Sequence, residues 1–447
     1  MSLRRIPGKS QSYHLISYDK KGREQRDADG GVASDAALEA VKAPGVTDVF
    51  MMSHGWQGDY VDAVSQYDRW VGAADPDSDT DGIRPVAIGL HWPSKAWSNR
   101  ELKEGSTGLL GDGPSGEDSV TVDEAVDEFA AQLGDDAETR AALREVLSYA
   151  ASVPIDQEAS DADELPSEVA DAYRRLVEHL GAGGDDGGLL GGGWDPDAVF
   201  ADSLTTQADD GLLGDGWFSR LREAVLTPLR QLTFWSDKNR AREFGEGAAA
   251  QLVRAITDAS DVRVHLMGHS FGTIVVSSAV RGANGSPKPP SRPVSSLFLV
   301  QGAVSLWAFA EHVPDKFGGG RGYLADVVRP EFVSGPIVVT RSKWDYAVGK
   351  YYPLAVRLAG QYLLGEDEAP KYGGIGSFGA HGVAGSIQLP PLTSGSRPDP
   401  GFESGTLYNI DASAVIARLD GASGAHSDIG HPELSWLAWN AAKAGAR

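Results

Sequence analysis

Short apolar runs with few polar interruptions set the strongest limit on what this chain can fold into. Val46–Ser53 (VTDVFMMS), Pro85–Trp92 (PVAIGLHW) and Val262–Met267 (VRVHLM) are of this kind. A strand with one wet face alternates apolar and polar side chains, whereas a strand covered on both faces has no need to. Segments of helical spacing lie between such runs. They are Ala33–Val41 with Ser34 as its expected cap, Tyr60–Val71, a long helix over Arg242–Ile256, and others at 272–282, near 348–360 and near 432–442. Ser296–Val300, Pro336–Thr340 and Thr406–Ile410 add strands, and YHLISYD and REQRD are expected to form two short ones about a Lys-Lys-Gly turn. Strand and helix in alternation predict βαβ units, hence an α/β fold with a mostly parallel central sheet flanked by helices.

That rhythm stops near Ser94 and resumes after Asn239. Between them lie the amphipathic segments Thr121–Leu133, Glu138–Ala151 and Ser167–Leu180, joined by glycine-rich links such as GAGGDDGGLLGGG at 181–193. The expected organisation is a core in two parts, 1–95 and 241–447, interrupted at 96–240 by a large, mainly helical insertion. Charge marks the same segment. Residues 105–216 hold 27 acidic residues, 4 arginines and no lysine, which accounts for the whole net charge of −23. A balanced remainder beside one acidic block argues against nucleic acid as a partner.

Composition removes further classes. Hydrophobic residues make up 41% of the chain, with 11 tryptophans, which is too much apolar surface for a globally disordered chain. The absence of cysteine excludes a disulfide framework, a thiolate metal site and a cysteine nucleophile together. The ten histidines show no HExxH spacing and no GxxxxGK[ST] loop occurs, so neither a metal nor a nucleotide cofactor is expected. Asp75, Asp77, Asp79 and Asp81 alternate as in a calcium loop, but Val86 stands where the closing glutamate belongs, and a solvated loop is the reading. No apolar stretch follows the basic amino terminus and no run of about 18 apolar residues occurs. A cytoplasmic location is therefore expected; the oligomeric state leaves no mark.

The strand ending in Met267 runs into Gly268-His269-Ser270-Phe271-Gly272, and an apolar helix follows. A serine between two glycines at a strand-to-helix turn is the setting of a nucleophile elbow, where flanking Cβ atoms would clash with the sharply turned backbone. A serine hydroxyl needs a base to take its proton, and the base needs an acid to orient it. In the chain order serine, acid, histidine, Asp345 closes RSKWD after a strand and is the favoured acid. Asp411, ending TLYNID, competes with it, and Asp326 does so less. In GAHSDIGH the favoured base is His426, with His431 the competitor at the start of the terminal helix. Oxyanion donors are expected at the backbone amide of Phe271 and in the loop His54-Gly55-Trp56-Gln57-Gly58, from Trp56 or Gln57, with Trp56 preferred. His54 is read as structural, and Gln57, His269 and Trp92 are expected to line the substrate mouth.

With these residues in place, the chain resembles the α/β-hydrolase superfamily, within its lipase/esterase-like serine hydrolases. The motifs that carry the resemblance are HGW at 54–56, GHSFG at 268–272, SKWD at 342–345 and GAHSDI at 424–429. It covers about 1–95 and 241–447. It implies a Ser270–His426–Asp345 triad acting on a small-molecule ester or acyl substrate, lipid-like in character, with a thioester or amide as variants. It also implies that the insertion is a cap or lid, with Trp217-Phe218 and Phe234-Trp235 facing the site. The rival from another class is a non-enzymatic binding protein that keeps the scaffold and docks through the acidic insertion.

Overall fold

The computed structural model describes residues 3–26, 30–55, 60–73, 82–94, 121–153, 164–180, 194–209, 220–282, 286–350, 369, 373–420 and 423–445. The chain divides into two compact units. One comprises Met1–Lys95, Lys238–Lys350 and Arg357–Arg447, the other Ala96–Asp237 with Tyr351–Val356.

The first unit is built on a nine-stranded sheet. Its strands are β1 (Leu3–Arg5), β2 (Ser12–Ser17), β3 (Asp48–Ser53), β4 (Pro85–His91), β5 (Arg263–His269), β6 (Ser296–Val300), β7 (Ile337–Arg341), β8 (Ile387–Leu389) and β9 (Leu407–Asp411). They lie in the order β1-β2-β4-β3-β5-β6-β7-β9-β8. Every neighbouring pair is parallel except β1 and β2. The uninterrupted apolar runs are the central strands: all of β6 is buried, and Val49, Met51 and Met52 of β3 are buried on both faces of the pleat. The flanking helices are α1 (Ala33–Val41), α2 (Tyr60–Gly72), α8 (Ala250–Ala259), α9 (Gly272–Arg281) and α12 (Pro432–Ala444). α1 buries Ala33, Ala37 and Val41 along one stripe, whereas every residue of α9 is buried, as its apolar sequence demands. Each buried Val, Leu or Ile contributes about 1.5–3 kcal/mol.

The strand order has a functional consequence. From β3 the chain crosses to β4 on one side, and from β5 it crosses to β6 on the other, yet β3 and β5 are neighbours. Adjacent parallel strands whose connections diverge leave a crevice beyond their carboxyl ends.

In the second unit, α3 (Val122–Leu133), α4 (Ala137–Ser152), α5 (Ser167–His179) and α6 (Pro196–Asp209) are helical and no described residue is in a strand. Thr121 and Glu124 form a reciprocal cap on α3, and Asp136 caps α4. All four arginines of the acidic segment are committed to ion pairs: Arg140 with Asp127 and Asp135, Arg144 with Asp123, Arg174 with Asp171 and Asp197, Arg175 with Glu145. Such exposed pairs add about 0–1 kcal/mol each.

Several expectations change. Among the described residues of REQRD only a single bridge forms, Tyr18 to Glu24, and the antiparallel partner of β2 is the unforeseen β1. Ser34 does not cap α1; its hydroxyl and amide both donate to Glu24. The long helix starts far earlier, as α7 (Arg220–Phe244), and reaches α8 through a π-helical turn at Gly245–Ala249. The segment read as a helix near 348–360 gives α10 (Tyr346–Lys350), and residues 351–368 lie outside the described residues. The loop before β9 holds the short α11 (Ile375–Phe378) and the edge strand β8, three residues whose half-exposed side chains gave no apolar signal. No helix among the described residues is long and apolar enough to cross a membrane.

Candidate active site

Ser270 follows β5 directly and has a left-handed backbone, φ 55°. Among non-glycine described residues only Gln301 shares that region. An L-residue there carries strain of about 1–2 kcal/mol, so the surroundings must impose it. The Ser270 carbonyl accepts from Thr273 N, Thr273 Oγ1 and Ala303 N at 3.1, 2.6 and 3.2 Å, while its amide donates to Val300 O at 3.2 Å. The flanking glycines are required by contact. A Cβ on Gly272 would strike the Ser53 and His54 carbonyls, and one on Gly55 would lie 2.6 Å from Ser270 Cβ. The end of β3 and the serine turn are thus pressed together at the crevice where the connections diverge.

Asp345 and His426 meet. The Asp345 carboxylate, 1% exposed, places both oxygens 2.9 Å from His426 Nδ1. A carboxylate only accepts, so Nδ1 carries the proton and Nε2 is left as the basic nitrogen. The loops that bring them together are sewn by backbone: Ala425 N donates to Trp344 O at 2.7 Å, and Asp345 bridges to Gly424. The competing acids are committed elsewhere, Asp411 to Arg341 and Asp326 to Arg321 and Arg329. His431 sits 3.0 Å from Asp428 at the start of α12, in place of any contact with Asp345.

His269, beside the serine, ties that histidine to the turn. Its Nε2 donates to the His426 carbonyl at 3.0 Å, and the two rings pack with centroids 4.9 Å apart. Burial first, then repulsion from His426, holds His269 well below the ordinary histidine pKa, so it is neutral. Its side chain serves that internal bond. Among the described residues, the Ser270 hydroxyl has no hydrogen-bond partner; the histidine–acid arm is closed and the serine–histidine arm is open.

Phe271 is the N-cap residue of α9, at the positive end of that helix's dipole. Trp56 and Gln57 lie outside the described residues, as do Trp217, Phe218 and the Asp75–Asp81 loop. His54 is structural in detail. Its Nε2 accepts from Trp92 N at 3.3 Å, its Nδ1 donates to Gly55 O at 2.9 Å, and its ring stacks on Trp92. Trp92 donates to the His54 carbonyl and stacks on Phe244. With Lys20, Lys21, Arg240 and Phe244 it borders a cavity of about 250 Å³ that Ser270, Asp345 and His426 do not line. No cluster of metal-ligating side chains occurs among the described residues.

Sequence reasoning missed Gln301, whose side-chain amide donates to Asp345 Oδ2 at 2.9 Å. The available signal was a polar residue directly after the fully buried strand SLFLV. It also missed a second serine, histidine and aspartate in contact. His265 Nδ1 is 2.8 Å from Ser296 Oγ and its Nε2 is 2.9 Å from Asp48 Oδ1. Comparison with known protein families, curated proteins and solved structures finds no match for this chain.

Proposed function

We propose that the chain is a serine hydrolase of the α/β-hydrolase type that cleaves a carboxylic ester through an acyl-enzyme. The observation that carries this reading is the strained Ser270 at the diverging crevice, with the bonded Asp345–His426 pair tied beside it. Ser270 Oγ attacks the ester carbonyl while His426 Nε2 takes its proton. Asp345 stabilises the imidazolium without taking a proton itself. The oxyanion is held by the Phe271 amide, assisted by the dipole of α9, and by a second amide from Trp56. The proton passes from His426 to the leaving alcohol, and water, deprotonated by His426, then releases the acid and regenerates Ser270. In this reading the acidic helical unit, inserted in the chain between β4 and the helix ahead of β5, is the cap that selects the acyl group.

A series of p-nitrophenyl esters of increasing acyl length tests the proposal. Turnover by the purified chain, lost in Ser270→Ala and His426→Ala but kept in His431→Ala, is expected. Full turnover in Ser270→Ala sinks the reading, and full turnover in His426→Ala with loss in His431→Ala moves the base.

A further inference from the structure

We infer that Gln301 is a positioning residue for the reaction, locking the Asp345 carboxylate and, through it, His426 in register with Ser270; this rests on the hydrolase reading above. Gln301 follows β6 and is fully buried. Its Nε2 donates to Asp345 Oδ2 at 2.9 Å and to Gly376 O at 3.0 Å. Its Oε1 accepts from Thr340 Oγ1 at 3.3 Å. The orientation of the amide follows from chemistry alone: a flipped amide would turn its oxygen on a carboxylate and a carbonyl, neither of which can donate. One planar group therefore spans the end of β7, the α11 turn and the acid.

The backbone is the second observation. Gln301 has φ 46°, and its left-handed neighbour Ser270 follows the adjacent strand β5. The two turns are joined directly, since Ser270 N donates to Val300 O and Ala303 N donates to Ser270 O, each at 3.2 Å. A glutamine held in a conformation that glycine would adopt without strain implies that its side chain, and not its backbone, is what the position needs. Among the described residues, the Asp345 carboxylate receives further bonds only from Val348 N and His426, while Ser377 Oγ donates to its backbone carbonyl at 3.0 Å. With no arginine or lysine in ion-pair reach among the described residues, the Gln301 amide is the only other side chain fixing the carboxylate.

The test is the rate of covalent labelling of Ser270 by a fluorophosphonate, followed by mass spectrometry across pH, in wild type, Gln301→Met and Gln301→Glu. Gln301→Met keeps the shape and cannot donate; labelling about 100-fold slower is expected, the cost of a misplaced catalytic group. In Gln301→Glu two buried carboxyl groups share one proton at low pH, and the protonated one replaces the lost donor. As pH rises and that proton leaves, repulsion displaces Asp345, so labelling falls on the alkaline side where wild type levels off. Wild-type rates in Gln301→Met, or a wild-type plateau in Gln301→Glu, overturn the inference. If Gln301→Met does not fold, the Gln301→Glu profile decides alone. Absence of labelling in folded wild type instead overturns the hydrolase reading itself.

Discussion

Strand β5 has a Ser-His-Asp grouping near each of its ends, and under the proposed function only the one at the carboxyl end reacts. At the amino end, Asp48, His265 and Ser296 sit on β3, β5 and β6, with His265 and Ser296 directly paired across the sheet. At the carboxyl end, Ser270, Asp345 and His426 sit on turns and loops after β5, β7 and β9. The residue types are the same and the histidine–aspartate contact is 2.9 Å in both, but Ser296 is bonded to its histidine at 2.8 Å while the Ser270 hydroxyl has no partner among the described residues. The other differences lie in backbone and charge. Ser296 lies in an ordinary strand, and Asp48 is neutralised by a two-pronged Arg263 at 2.7 and 2.8 Å. Burial pushes Asp48 up, but bonds from His265, Arg263 and Thr47 outweigh it and bring its pKa down to about 2. Burial likewise pulls His265 down, offset only partly by Asp48, so the pair is a neutral histidine beside an arginine-bound carboxylate. Asp345 has neutral donors and His426, which leaves its charge available to an imidazolium. On the proposed reading, what separates the two groupings is strain, approach and an uncompensated acid, more than their three residue types.

Substitutions at the two ends should therefore separate activity from stability. Asp345→Asn is expected to lower ester turnover by about 10⁴-fold with little change in the urea midpoint, because the histidine loses its oriented tautomer. Asp48→Ala should do the reverse, costing about 3 kcal/mol of stability by stranding Arg263 and His265 while turnover per folded molecule is retained. Equal effects on both readouts at both sites would erase the distinction.

Acid should act on the two histidine environments through folding. His265 and His269 both titrate below the unfolded value of 6.5, so below that pH the unfolded chain binds protons that the folded chain does not. Stability then falls with pH by about 1.4 kcal/mol per unit for each such group. Urea midpoints measured from pH 7 downward should show this slope, and His265→Gln should remove one group's share of it. The smallest effects are expected at the two serines themselves. Ser270→Gly relieves the left-handed strain and should raise stability by about 1 kcal/mol, whereas Ser296→Ala should lower it by about 1 kcal/mol.

What could be read from the sequence follows from where information is local. The central strands were legible to within two residues because burial on both faces writes a continuous apolar run, as in SLFLV of β6. The three-residue edge strands Leu3–Arg5 and Ile387–Leu389 carry no such run, and pairing alone makes them strands. Ser270, Asp345 and His426 could be proposed as candidates because each lies in a loop after a legible strand and chain order restricts the choice. Gln301 could not: its bond to Asp345 spans 44 residues, and a left-handed glutamine looks like any other in sequence. The Asp48–His265–Ser296 set was hidden for a related reason, since it depends on the register of three strands.

The central claim is that one of the two groupings is reactive, and locating a fluorophosphonate adduct tests it most directly. Peptide mapping of the labelled, folded protein should find the adduct on Ser270, none on Ser296, and none in Ser270→Ala. Folded wild type that takes up no label, or a variant that labels as the wild type does, contradicts the account.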